Sequence, residues 1–171
     1  DLLIYGQLSH KEIPLERVDL DPIFERILEN LASEIESKRA VIEIKRPLAT
    51  LWANSTIIHQ IFSNLVSNAL KFVSSERKPH IRIWTEDRGN VVRICVRDNG
   101  IGIKPEYHER IFRIFERLHP VEVFPGTGIG LAIVQKGAER MGGKAGVDSV
   151  PGEGSCFWVE LAKDGKPERT I

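Results

Sequence analysis

The sequence predicts a two-layer α/β sandwich, with a mixed, mostly antiparallel sheet of about five strands and three main helices on one face. Two observations lead there. Stretches with apolar residues at the helical period alternate along the chain with pairs of stretches that alternate every second residue. The stretches are separated by Gly, Pro, Asn and Asp, the residues that punctuate chains. With 171 residues and 42% apolar content, the chain suits one hydrophobic core.

Leu2, Leu3, Ile4, Tyr5 and Leu8 read as the last turns of a helix, and the proline at 14 then forces extended geometry on the residue before it. Asp19 or Asp21, followed by Pro22, starts a second helix whose apolar positions Ile23, Ile27, Leu31 and Ile35 keep the period to about Lys38. Residues 41–45 and 50–53 alternate and flank Arg46-Pro47, which predicts a hairpin of two short strands. Ser55 is read as the cap of a long helix to about Val73. Residues 80–86 and 90–97 are strand patterns joined by a Gly-containing turn. A glycine-rich turn at 98–103 and one or two short helices within 105–118 come next. Residues 119–130 lack periodicity, hold two prolines and three glycines, and are expected to be mobile. A helix over 131–141 stops at Gly142-Gly143, and strands at 144–150 and 155–161 precede a polar tail, 163–171.

Composition removes several function classes. Lys plus Arg, 24, equals Asp plus Glu, 24, so no broad positive field exists to hold nucleic acid or an anionic membrane surface. Cys95 and Cys156 lie far apart in metal-free spacing and read as buried thiols of a reducing compartment. No run approaches the roughly 18 apolar residues of a membrane span. The chain starts mid-pattern without Met and is expected to be a cytoplasmic fragment, with a membrane anchor in its parent left open.

Four segments carry chemistry. Asn64, Asn68 and Lys71 fall within roughly 60° of one another on a helix, beside the apolar arc of Ile58, Ile61, Phe62, Leu65, Ala69 and Phe72. Amide oxygens are neutral hard donors suited to Mg²⁺, and a lysine one turn on meets phosphate charge; an Asn-rich polar edge is the plainer reading. The run Asp98-Asn99-Gly100-Ile101-Gly102-Ile103 puts a carboxylate at a strand end, where it can accept from an adenine amine but repels a guanine carbonyl. Its glycines permit close backbone approach and its isoleucines form an apolar slot, although Asp-Asn-Gly is also ordinary turn chemistry. In Gly126-Thr127-Gly128-Ile129-Gly130-Leu131, alternate glycines ahead of a helix aim N–H groups at an anion or make a flexible hinge. The spacing fits neither a dinucleotide fingerprint nor a Walker loop. Between these, residues 109–118 set Ile111, Phe112, Ile114, Phe115 and Leu118 at the base of the mobile loop, either freeing Arg117 for a terminal phosphate or forming a plain amphipathic helix.

In this order the four segments resemble the N box, first glycine box, F box and second glycine box of bacterial-type sensor histidine kinases, over about Val18 to Leu161. Pro151-Gly152-Glu153-Gly154-Ser155-Cys156-Phe157 is similar to that family's closing hairpin. The resemblance implies the Bergerat-type ATP-binding fold shared with type II topoisomerases, mismatch-repair ATPases and heat-shock chaperones, with ATP or ADP and Mg²⁺ under a mobile lid. It divides the chain into the end of a helical dimerisation hairpin plus linker (1–18), an ATP-binding catalytic domain (19–162) and the tail. It implies that Asn68 holds Mg²⁺ with Asn64 beside it, that Lys71 contacts phosphates, and that Asp98 pairs with the adenine amine. Gly100, Gly102 and Ile103 would line the base site, with Ser155 where the family has threonine. Gly126, Thr127, Gly128, Gly130 and Leu131 would close the lid over the triphosphate, with Arg117 near its end. Hydrolysing relatives have a glutamate as general base where this chain has Asn64, so slow hydrolysis and transfer to a histidine are expected. A conformational ATPase and a non-catalytic nucleotide-binding scaffold are the alternatives. No histidine here fits the acceptor pattern: His10 precedes Lys11, and His59, His80, His108 and His119 match no acceptor or metal spacing. The partners implied are the parent's histidine hairpin and a response-regulator receiver domain, and the fragment alone is expected to be monomeric.

Overall fold

The computed structural model describes residues 1–165, so residues 166–171 of the expected polar tail lie outside the described residues. In chain order the elements are α1 (Leu2–His10), β1 (Glu16–Asp19), α2 (Leu20–Asn30), α3 (Ala32–Ser37), β2 (Val41–Ile44), β3 (Thr50–Ala53), α4 (Ser55–Lys71), β4 (His80–Asp87), β5 (Val91–Asp98), α5 (Gly130–Arg140), β6 (Lys144–Val150) and β7 (Gly154–Ala162). Five strands form one sheet in the order β2-β4-β5-β7-β6, in which only β2 and β4 run parallel. The expected two-layer sandwich is the architecture found.

Alternation decides which face of the sheet is covered. Ile81 and Ile83 of β4, Val92, Ile94 and Val96 of β5, and Phe157, Val159 and Leu161 of β7 turn to one side and join the buried cluster. From α4 come Ile58, Ile61, Phe62 and Leu65, and from α2 come Leu20, Phe24 and Ile27, with Phe24 and Phe62 ring centroids 5.0 Å apart. The helix α5 adds Val134 and Ala138, and it lies against α4 because position 137 is glycine: a Cβ there would be 3.0 Å from Ile57 and Ile61 side-chain carbons. On the other face, Cys95 and Cys156 are free thiols, 2% and 8% exposed. The helix α1 stands outside the sandwich, burying Leu8 against Ile129 and Ile133 at the start of α5. No helix among the described residues is long and apolar enough to cross a membrane.

Four local expectations are corrected. Strands β2 and β3 do not form a hairpin: β2 pairs with β4, and β3 pairs antiparallel with β1 in a separate two-stranded sheet. Alternation identifies a strand without identifying its partner. Here Asp21 decides, accepting from Leu48 N at 3.1 Å and pairing with Arg46, so the chain turns away from β2 toward α2. The strand β1 was invisible because only Val18 of its four residues is buried, and it straddles the boundary expected at residue 18. The long helix is capped by Asn54, whose side chain accepts from Ile57 N at 3.1 Å, rather than by Ser55, and it ends at Lys71. The helical period from Ile23 to Ile35 runs through a break at Leu31 (φ −101°, ψ 8°), which separates α2 from α3.

Phe62→Ala is expected to cost about 3–5 kcal/mol in urea unfolding, the range for emptying a buried aromatic site. A loss under about 1 kcal/mol would place the packing centre elsewhere.

Candidate functional site

The C-terminal ends of α4 and β5, the start of β7 and the segment before α5 enclose a cleft of about 290 Å³. Asn64, Asn68, Lys71, Asp98, Gly102, Ile103, Arg117, Gly126, Thr127, Gly128, Gly130, Leu131 and Ser155 all line it. The sequence placed these residues in four separate stretches; the fold brings them to one cavity. Gly100 alone of the expected residues does not line it. It is buried behind the cleft, where a side chain would strike the carbonyl of Phe72.

Asp98 closes β5, and its Oδ1 accepts from Gly100 N at 2.8 Å and Ser155 N at 3.1 Å. Oδ2 has no partner among the described residues, so one acceptor is left for the cleft. Burial raises the Asp98 carboxyl to about 6, against the opposing pull of those two N–H groups. The following turn is pinned on both sides: Ile101 N donates to Phe72 O at 2.9 Å and Gly152 N to Ile101 O at 2.8 Å. Gly102 (φ 71°) passes so close to the Val150 backbone that only glycine fits.

At the opposite end two cations converge. A side chain at Gly126 would stand 2.9 Å from Lys71 Nζ and 3.8 Å from Arg117 Nη1. Burial first, and then the Arg117 guanidinium, hold the Lys71 ammonium below its usual range. Arg117 is not free, as the sequence had it: it donates to Phe124 O at 2.8 Å and to Gly126 O, clasping the loop on itself. The one or two short helices expected within 105–118 are two 3₁₀ turns, Pro105–Tyr107 and Arg110–Phe112, and no helix or strand follows until α5. Ile111 and Phe112 are buried as expected, but Phe115 is 61% exposed. Its N–H bonds Gly128 O at 2.9 Å, zipping together the ends of the loop.

Between the two ends lie the α4 amides. Asn64 Nδ2 is buried with no partner, and no described residue bonds the Asn68 side chain. No cluster of three or more His, Cys, Asp or Glu side chains able to hold a metal occurs among the described residues. Sequence reasoning missed the aromatic wall: Phe72 and Phe124 have centroids 5.1 Å apart, and His119 packs on Phe124 at 5.3 Å. It also missed Ser149, which lies outside this cleft but bonds its lining. Only the lack of periodicity around Phe124 marked that segment, and lone aromatics in such segments carry no signal.

The family model for histidine kinase-, DNA gyrase B- and HSP90-like ATPases matches residues 53–165. The phytochrome-like protein Cph1 of Synechocystis sp. is 37% identical over 161 residues, which is 94% of this chain and 21% of that protein. The chain therefore spans about a fifth of that relative's length. Full-length ShkA, solved in complex with AMPPNP, superposes with a TM-score of 0.79 at 30% identity, over 98% of this chain and 36% of that one. The catalytic domain of the histidine kinase ThkA, solved free of nucleotide, superposes at 0.74 with 26% identity, over 88% of this chain and 99% of that one. With a carboxylate at one end of the cleft, cations at the other and amides between, the chain belongs to the histidine kinase-, DNA gyrase B- and HSP90-like ATPase family.

Proposed function

We propose that this chain is the catalytic domain of a two-component sensor histidine kinase, holding Mg-ATP for transfer of its γ-phosphoryl group to a histidine on a separate helical hairpin. The observation that carries it is the polarity of the cleft: an unbonded carboxylate oxygen at Asp98, and two cations, Lys71 and Arg117, meeting at Gly126 with neither in an ion pair among the described residues, although Asp1 accepts from the Thr127 hydroxyl nearby. An adenine amine satisfies the first and a polyphosphate the second. The AMPPNP bound to ShkA and the kinase names of the relatives support the same reading.

Asp98 orients the base. Ile103 and Leu131 flank it with apolar surface. Lys71, Arg117 and the N–H groups of Thr127, Gly128 and Gly130 take the phosphates at the start of α5, and Arg117 leaves the loop carbonyls to do so. The Oδ1 oxygens of Asn64 and Asn68, which accept from no described residue, are the neutral hard donors that would hold Mg²⁺, with Asn68 as the main ligand, and the ion would supply charge neutralisation of the phosphate oxygens; the unpaired Asn64 Nδ2–H group would instead donate to a phosphate oxygen. Catalysis is then positioning and electrostatics. Asn64 accepts no proton, so water is not activated and the phosphoryl group is kept for the acceptor. In this reading residues 1–18 are the end of the dimerisation hairpin with its linker, 19–162 the catalytic domain, and the receiver domain of a response regulator takes the phosphate next.

Two outcomes follow. Asp98 must be ionised to accept from the amine, so ATP affinity measured by titration calorimetry rises from pH 5 to pH 7.5 with a midpoint of about 6. In the free protein the sign is opposite: a carboxyl raised by burial contributes less stability as pH climbs through that value. Asp98→Asn is expected to weaken ATP roughly 10–100-fold, one charge-assisted hydrogen bond, and to flatten the pH profile relative to wild type. An unchanged affinity would remove Asp98 from the base site. For the transfer, wild-type protein with Mg-ATP and a separate dimeric histidine hairpin yields acid-labile phosphate on the hairpin, while steady-state phosphate release stays slow. Asn64→Glu speeds that release by about 100-fold or more, the lower range for a general base. Fast release by the wild type, or an unlabelled hairpin, would favour an ATPase or a scaffold.

A further inference from the structure

Ser149 and Ser155 face one another across the β6–β7 ladder, on the helix-covered side of the sheet. Ser155 is 6% exposed and lines the cleft. Ser149 Oγ has three neighbours at hydrogen-bond distance: Ile103 N at 2.8 Å, Gly154 O at 2.9 Å and Ser155 Oγ at 2.7 Å. A hydroxyl has one proton and two lone pairs, which limits the assignments. A backbone N–H only donates, so Ile103 takes one lone pair of Ser149. A carbonyl only accepts, so Gly154 takes its proton. The remaining contact must run from the Ser155 hydroxyl to Ser149. The single proton of Ser155 is therefore spent inside the fold, and its oxygen turns lone pairs alone toward the cleft.

We infer that Ser149 is a specificity-determining positioning residue: by consuming the Ser155 proton it leaves two side-chain groups of the cleft lining, the Ser155 hydroxyl and the unbonded Asp98 Oδ2, able only to accept. Such an edge welcomes a purine carrying an exocyclic amine and rejects one carrying a carbonyl at the same place. The same bonds fix the geometry of that edge. Ser149 anchors Ile103 at one end of the glycine-rich turn and Gly154 at the head of β7, while Ser155 N reaches back to Asp98. This rests on the nucleotide reading above and adds a residue outside the cleft lining.

The test compares affinities for ATP, for inosine triphosphate, whose base carries a carbonyl in place of the amine and an N1–H in place of the N1 lone pair, for purine riboside triphosphate, which lacks the amine but keeps the N1 lone pair, and for inorganic tripolyphosphate. In Ser149→Ala the Ser155 proton is released and serves the carbonyl, so the ATP-to-inosine-triphosphate affinity ratio falls roughly tenfold, the scale of one neutral hydrogen bond, with purine riboside triphosphate unchanged; a rise in purine riboside triphosphate affinity would put that proton on N1 and overturn the inference. Tripolyphosphate affinity stays within about twofold of wild type, which separates the base edge from general loosening of the fold. Ser149→Thr keeps the hydroxyl and restores the ratio. The double variant Ser149→Ala, Ser155→Ala loses no more discrimination than Ser155→Ala alone, because Ser149 acts through Ser155. A ratio unchanged in Ser149→Ala overturns the inference while ATP binding stands. Wild-type protein that binds tripolyphosphate but no ATP overturns the base site itself, and this inference with it.

Discussion

The site depends on keeping one ionisable carboxylate out of water without neutralising it. Asp98 sits at the end of a central strand, where burial opposes ionisation and two backbone N–H groups on a single oxygen offset part of that cost. Neither group would point there without the turn after β5 and the entry to β7. Those in turn need glycine where the backbones of residues 102 and 150, and of 154 and 98, nearly touch. The opposite end of the cleft is held by the reverse strain, two cations drawn together on one glycine. A ligand that is neutral or amine-bearing at one end and anionic at the other relieves both.

The long-range scaffold follows from α4 and α5. The apolar arc of α4 is filled by the sheet, and its polar edge is carried to the cleft by helical geometry alone. Glycine at 137 lets α5 approach within van der Waals contact, and at 130 the start of α5 passes Asn64, where a Cβ would sit 3.4 Å from Oδ1. The amides and the glycine loop are thus neighbours because two helices pack closely. Family members that hydrolyse and those that transfer phosphate differ at this seam in our reading, where an amide replaces a carboxylate.

Much of this was legible in the sequence where periodicity spans many residues. The helix bearing Asn64, Asn68 and Lys71, the paired strands β4 and β5, and the closing pair β6 and β7 all announced themselves within a residue or two of their ends. What stayed hidden was whatever depends on partners. Alternation at 41–45 and 50–53 named two strands but not their neighbours, which Asp21 selects from across the fold. Arg117 read as a free arm, since nothing local shows that two loop carbonyls occupy it. Ser149 was one serine in a strand; its meaning lies in three atoms contributed by other segments.

The central claim is that one magnesium-bound adenine nucleotide spans from Asp98 to Gly126. The most direct measurement is a crystal structure with Mg²⁺ and a non-hydrolysable ATP analogue. The account predicts the exocyclic amine on Asp98 Oδ2, the metal on Asn68, and the terminal phosphate against Lys71, with Arg117 released from the carbonyls of Phe124 and Gly126. Density for the base away from Asp98, or a chain that takes up no nucleotide at millimolar concentration, would contradict it.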